Sequence, residues 1–184
     1  MHADEPMEPI PSFIDFEASS LSHRSYPIEV AWNLSDGSIE SHLISPQGIV
    51  GWDEWDEKAQ QVHGIPRAEL LAHGEPPSLV CQRMNQQLSG QVLYSDAPDF
   101  DGMWLARLFE CDQDQPAFEL RNANSMIMAL ICPDDAPRTA SIHEIYVLEQ
   151  EARRKTPGQH RAGWDVQYLV ELWKLAHWRQ KRRD

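Results

Sequence analysis

Residues 13–21, FIDFEASSL, place two carboxylates, Asp15 and Glu17, one residue apart in a stretch that otherwise reads as a buried strand. Side chains two apart on a strand share a face, so the two acids are neighbours and repel. A divalent cation between their oxygens reverses that cost, because the ion becomes the largest local charge. Metal binding is therefore the chemistry this spacing suggests, and two solvated acids on a strand edge are the simpler alternative. Further oxygen donors decide between them. YSDAPDFDGMWLARL offers Asp96, Asp99 and Asp101 where a strand passes into a helix. HRAGWDVQYLVELW offers His160 just before a helix and Asp165 in its first turn, where an acid also suits the helix dipole.

The elements that must carry these residues follow from the pattern. Strands are expected over 12–17, 27–34 and 38–44, with SDGS between the last two giving the Asp-Gly signal of a tight hairpin. Helices are expected near 53–62, 77–89, through MWLARLFE, and over 139–154 and 164–181, with further strands at 91–95 and 118–122. Val166, Leu169, Val170, Trp173 and Ala176 form one apolar stripe that would seat the last helix on the sheet and hold Asp165 in place. Strands first, then strands alternating with helices, imply a mixed sheet with helices on its faces.

Composition bounds the partners. The 184 residues are 41% hydrophobic, without a stretch apolar enough to span a bilayer, and carry a net charge of −13. Residues 1–149 hold 7 Lys and Arg against 25 Asp and Glu, whereas residues 150–184 hold 9 against 4. So acidic a body argues against strong nonspecific duplex binding, while EARRK and WRQKRRD are the segments suited to a phosphate backbone. Lys and Arg at the end of a last helix are equally what its dipole favours. Cys81, Cys111 and Cys132 are odd in number and in no metal-ligand spacing, which favours a reducing cytoplasm. MHADEPMEPIPS has neither the basic start nor the apolar run of a secretory signal, so residues 1–11 are expected to be a short disordered lead-in to one domain over 12–184.

The order D-x-E, then F-D opening a helix, then H-x-A-x-x-D opening the last long helix resembles the DEDDh 3'-to-5' exonucleases, the DnaQ-like group that includes RNase T. The motifs are FIDFEASSL, DAPDFDGMWL and HRAGWD, and PQGIVGWDEWDEKAQQVHGIPRAEL is similar to the family's connection that ends in a His-Gly-Ile turn before another helix. The resemblance runs from about residue 12 to residue 178.

That resemblance implies an RNase H-like α/β fold, a five-stranded mixed sheet whose first three strands are antiparallel, flanked by helices. It implies Asp15, Glu17, Asp101 and Asp165 as ligands of two Mg2+ or Mn2+ ions, with His160 as general base. For the second motif the family offers one acid slot. Asp101 is the choice, because it follows Phe100 and opens the helix whose Trp104, Leu105 and Leu108 face the core. Asp99 sits in a turn after Pro98, and Asp96 occupies the slot of the family's Asn. Two departures, Ser95-Asp96 for His-Asn and Ala18-Ser19-Ser20 after Glu17, fall where relatives contact the 3' end.

Ala18, Leu21 and Trp104 are the resulting substrate-contact candidates, Trp104 the weaker for stacking because its place on an amphipathic helix favours the core; Trp52 and Trp55, beside the expected loop, are open to either role, and His63 of the His-Gly-Ile turn reads as structural. The implied activity is stepwise removal of 5'-monophosphates from a single-stranded or 3'-overhanging RNA or DNA, with pairing of two copies as in RNase T-like relatives. Two alternatives share the fold: a catalytically silent nucleic-acid-binding or assembly subunit, and a clean-up nuclease for very short oligoribonucleotides.

Overall fold

The computed structural model describes residues 9–132, 138–158 and 160–182. Five strands, β1 (Ser12–Ala18), β2 (Pro27–Asn33), β3 (Ile39–Leu43), β4 (Val92–Ser95) and β5 (Glu119–Asn122), form one sheet in the order β3-β2-β1-β4-β5. β1, β2 and β3 pair antiparallel, and β4 and β5 add in parallel. The helices are α1 (Glu57–His63), α2 (Arg67–His73), α3 (Pro77–Leu88), α4 (Pro98–Phe109), α5 (Ala123–Ile131), α6 (Arg138–Lys155) and α7 (Ala162–Lys181). This is the RNase H-like mixed sheet that the sequence implied.

Strand alternation sorts the sheet into two faces. Ile14, Phe16, Ile28, Val30 and Trp32 pack with Val80, Met84 and Leu88 of α3 and with Trp104, Leu105 and Leu108 of α4. Phe13 and Ala31, one residue out of phase, pack instead with α5, α6 and α7. Asp15 and Glu17 follow Phe13 in that second row, and Glu29 precedes Ala31 in the row beside it. The acids therefore lie on the face that α7 covers. Val166, Leu169, Val170, Trp173 and Ala176 of α7 are all buried, and at about 1.5–3 kcal/mol for each large side chain they bind the helix firmly to the sheet.

The hairpin between β2 and β3 closes as expected. Leu34 N–H donates to the Ser38 carbonyl at 2.8 Å, the Asp36 carboxylate accepts from Ser38 N–H at 2.9 Å, and Gly37 takes φ 85°, a conformation that favours glycine. α1 starts at Glu57 rather than near 53, because the Asp56 carboxylate caps it by accepting from Lys58 N–H at 2.8 Å. α5 was not expected. It begins directly on the last residue of β5, Asn122, whose side chain accepts from Ser125 N–H at 2.8 Å, so no loop announces it.

Order begins earlier than residue 12. Ile10 is buried with Phe13 and Ala31, and the Pro11 carbonyl accepts from Asn33 at 3.0 Å, so these two residues belong to the packed body. The rest of the expected lead-in, residues 1–8, lies outside the described residues.

Candidate functional site

β1 carries Asp15 and Glu17 outward past the part of its row that α7 buries, and its register with β2 shifts between Glu17 and Ala18. Such irregularities re-aim side chains at the end of a strand. β4 ends beside β1 at Ser95, and the chain then turns through Asp96 into α4, with Pro98 at the start of the helix and Asp101 in its first turn. Asp101 is 1% exposed, and its carboxylate accepts a hydrogen bond from the Ser95 hydroxyl. From the other side α7 delivers Asp165, whose N–H donates to the Arg161 carbonyl at 3.1 Å.

Two groups of three carboxylates result. Asp15, Glu17 and Asp165 have oxygens within 4.8 Å of one another, and so do Asp15, Asp96 and Asp101. Asp15 belongs to both. Asp99 is exposed and in neither. The structure thus brings together the four acids expected from the sequence and adds Asp96, which that reading had set aside as the occupant of an Asn slot. Its signal was its position, one residue beyond the strand that lies next to Asp15.

The charge in this site is unbalanced. Burial, then the neighbouring Asp101, Asp165, Glu17 and Asp96, hold the Asp15 carboxyl well above the usual carboxylate range. Burial, then Asp165 and Glu29, push Glu17 up to about 8, against the opposing pull of Arg161. Burial also pushes Asp101 to about 7, with the Ser95 hydrogen bond pulling the other way. An all-oxygen donor set of partly buried acids whose charged forms the protein itself disfavours suits a hard divalent cation such as Mg2+ or Mn2+.

Two measurable consequences follow. Folding raises these pKa values, so between the ordinary carboxylate range near pH 4 and about pH 8 the unfolded chain has released protons that the folded one keeps. Stability in EDTA should fall as pH rises through that window: the thermal midpoint is expected to be higher at about pH 5.5 than at about pH 8, with the slope reduced in Glu17→Gln. A Glu17→Gln slope equal to that of the unaltered protein would remove Glu17 from this account. The second expectation is that millimolar Mn2+ raises the midpoint, more at the higher pH because metal and proton compete for the same oxygens. A melting curve indifferent to Mn2+ at about pH 8 would count against the site.

His160 lies on the approach to α7, exposed and outside both carboxylate groups, yet close enough to Asp165 to pull its pKa down against the raising effect of burial. Its φ of 56° is in the left-handed region, a strain of about 1–3 kcal/mol for a residue other than glycine. The segment is held on both sides. A Cβ on Gly158 would come within 1.9 Å of the Trp164 ring, so only glycine fits there. Downstream, Arg161 reaches Glu29 of β2, an acid that is 2% exposed, with its terminal nitrogen donating at 2.7 Å. The sequence reading singled out neither Glu29 nor Arg161, because the pair joins positions 132 residues apart.

The substrate-contact candidates divide. Leu21 is 72% exposed beyond the end of β1, open to a ligand, whereas Ala18 is buried. Trp104 corrects the sequence reading: it is 6% exposed, its Nε1–H donates to the Ser25 hydroxyl at 2.8 Å, and Phe100 lies against its ring at 5.6 Å. It is a core residue of α4 with no open face for a base. Trp52 stacks on Tyr26 at 5.1 Å, Trp55 donates to Gln60, and His63 accepts from Ile65 N–H at 3.0 Å, all structural roles. Part of the basic tail pairs internally, Lys174 with Glu171 and Arg179 with Glu144, while Arg153 lies 4.6 Å over the Tyr168 ring.

The fold is similar to solved structures of exonuclease I. The zinc-bound complex of E. coli exonuclease I with single-stranded DNA matches with a TM-score of 0.69 over 93% of this chain. The fold is that of exonuclease I. A second E. coli exonuclease I complex, with a dA16 oligonucleotide, gives 0.66 over 94% of the chain, and exonuclease I from Methylocaldum szegediense gives 0.60 over 89%. Identities to these three exonuclease I chains are 18%, 16% and 12%, and the present chain spans 41%, 42% and 40% of their lengths. No protein-family model and no curated protein matches the sequence. Cys81, Cys111 and Cys132 are free thiols, and among the described residues no helix is long and apolar enough to cross a membrane.

Proposed function

We propose that this chain is a metal-dependent 3'-to-5' exonuclease acting on single-stranded or 3'-overhanging nucleic acid, in the cytoplasm. The observation that carries the reading is the pair of carboxylate triads sharing Asp15, set on an exonuclease I fold beside the His160 segment. Asp15, Glu17 and Asp165 would hold one Mg2+ or Mn2+ ion, and Asp15, Asp96 and Asp101 a second. Bound ions supply Lewis-acid polarisation of a phosphodiester and of water, and stabilise the leaving oxygen.

The remaining work belongs to the chain. His160, exposed at the mouth of the site, takes the proton from the attacking water, a task imidazole performs near neutral pH. Ser95 holds the Asp101 carboxylate through its hydroxyl. Leu21 offers an apolar surface to the terminal base. The direction of attack comes from the resemblance of the three motifs and from the exonuclease I fold together.

The test uses 5'-labelled single-stranded RNA, single-stranded DNA and duplexes, each incubated with Mg2+, Mn2+ or EDTA. A ladder shortening from the 3' end in the presence of either metal, and absent with EDTA, is the expected result. Absence of products from every substrate with both metals, or products cut internally, would overturn the reading.

A further inference from the structure

We propose that Glu29 and Arg161 are positioning residues for the proposed active site, a clamp that indexes the start of α7 on the strand pair carrying the acids. The inference rests on the exonuclease reading for its kinetic arm alone. Glu29 is 2% exposed on the sheet face that α7 covers, against the start of that helix. Its carboxylate accepts from Arg161 Nε at 3.2 and 3.0 Å, from the Arg161 terminal nitrogen at 2.7 Å, from Ala162 N–H at 3.0 Å and from the Ser41 hydroxyl at 3.1 Å. Both oxygens are thus occupied.

Three features give this pair a role beyond stability. Arg161 is the residue before α7 and supplies no side-chain cap of its own, so the Glu29 carboxylate acts as the cap from another element, where the helix dipole favours an anion. Arg161 also stands between the two residues that matter: it follows His160 directly, and its carbonyl accepts from Asp165 N–H at 3.1 Å. Holding Arg161 therefore holds both. Finally, Glu29 is the register partner of Glu17 across β1 and β2. The clamp thus measures the position of α7 against the very residue pair that places Glu17.

An ion pair with one buried partner is a poor way to gain stability, since well-packed apolar residues often serve as well or better. Its geometry is another matter. Three directed bonds from the Arg161 side chain and one from Ala162 N–H specify where the start of α7 sits, whereas the apolar contacts of Val166, Leu169 and Val170 further along α7 tolerate small slides of the helix. Removing the clamp should therefore loosen residues 160–166 and leave the sheet and the rest of α7 intact.

The experiment compares the full chain with Glu29→Gln, which puts an amide donor against the Arg161 and Ala162 donors, with the milder Arg161→Lys, and with the apolar double variant Glu29→Met/Arg161→Met. Hydrogen exchange, followed by mass spectrometry, should rise about tenfold or more in the peptide covering 160–166 of Glu29→Gln, with the β1 and β2 peptides unchanged. With Mn2+ and a labelled single strand, kcat should fall about 10- to 100-fold at little change in KM, as expected when reacting groups are misplaced by an ångström or so. The double variant should recover the thermal midpoint and still show the low kcat, which a purely structural role does not explain. Unchanged exchange at 160–166, exchange raised equally in all strands, or kcat restored along with the midpoint would each overturn the clamp. Should the unaltered protein prove inactive on every substrate, the exonuclease reading fails while the exchange measurement still decides whether Glu29 orders the start of α7.

Discussion

Asp101→Asn should reduce release of nucleotides from a 5'-labelled single strand by at least about 1,000-fold, while Asp99→Asn, two residues away, should stay within about threefold of the unaltered protein. The reason is geometric. Asp101 is 1% exposed, tied to Ser95, and its oxygens lie within 4.8 Å of Asp15 and Asp96. Asp99 belongs to neither triad and is exposed on the first turn of α4. The amide keeps the volume and one acceptor at position 101 but removes the charge a divalent ion requires, and losing an ion's several kcal/mol of transition-state stabilisation gives an effect of that order. Asp96→Asn should fall between the two, because Asp96 completes a triad from an exposed position. A dead Asp99→Asn enzyme beside an active Asp101→Asn one would mean that another acid of DAPDFD does the work.

His160→Ala should cut turnover by roughly 100- to 10,000-fold, the range expected for loss of a general base, and leave the Mn2+-induced rise in thermal midpoint unchanged. The dissociation of the two effects is the point of the measurement. His160 contributes no ligand atom to either carboxylate group, so metal binding has no reason to weaken. Replacing a strained left-handed histidine by glycine instead would relax the backbone as well as remove the ring. His160→Ala, which keeps the preference against positive φ, is therefore the cleaner probe. If turnover in that variant stayed near normal, the proton would have to leave by another route and His160 would be a loop residue only.

Much of this site is legible in the sequence because it is written in local periodicities. Alternation along FIDFEA puts Asp15 and Glu17 on one face of a strand, and Phe13 of the same row is buried as that alternation requires. The apolar stripe of the last helix and the Asp-Gly turn before β3 are likewise local, and the helix and hairpin formed where those signals stand. The three motifs in their order implied a mixed five-stranded sheet, and the sheet has that topology.

Other features depended on which segments folding brings together. α5 escaped notice because its cap is the last residue of a strand, so neither turn nor loop marks its start. Trp104, offered by the sequence as a weak stacking candidate though its helix position favoured the core, is fixed in the core by the packing of α4, with Ser25 taking its N–H. Asp96 became a partner of Asp15 because β4 pairs in parallel with β1, placing the first residue after one strand beside the acid of the other.

Composition and periodicity by themselves determined the strands, the long helices and the acids they display, since these depend on side chains a few residues apart. Which acids meet, and what holds the start of α7 against them, was decided by the tertiary structure alone. Glu29 and Arg161 are ordinary charged residues in their own segments and become a directed pair, with Glu29 buried, only when α7 lies across β2. Short-range patterns carry no record of such a contact, because its energy arises from the desolvated proximity of two elements far apart in the chain.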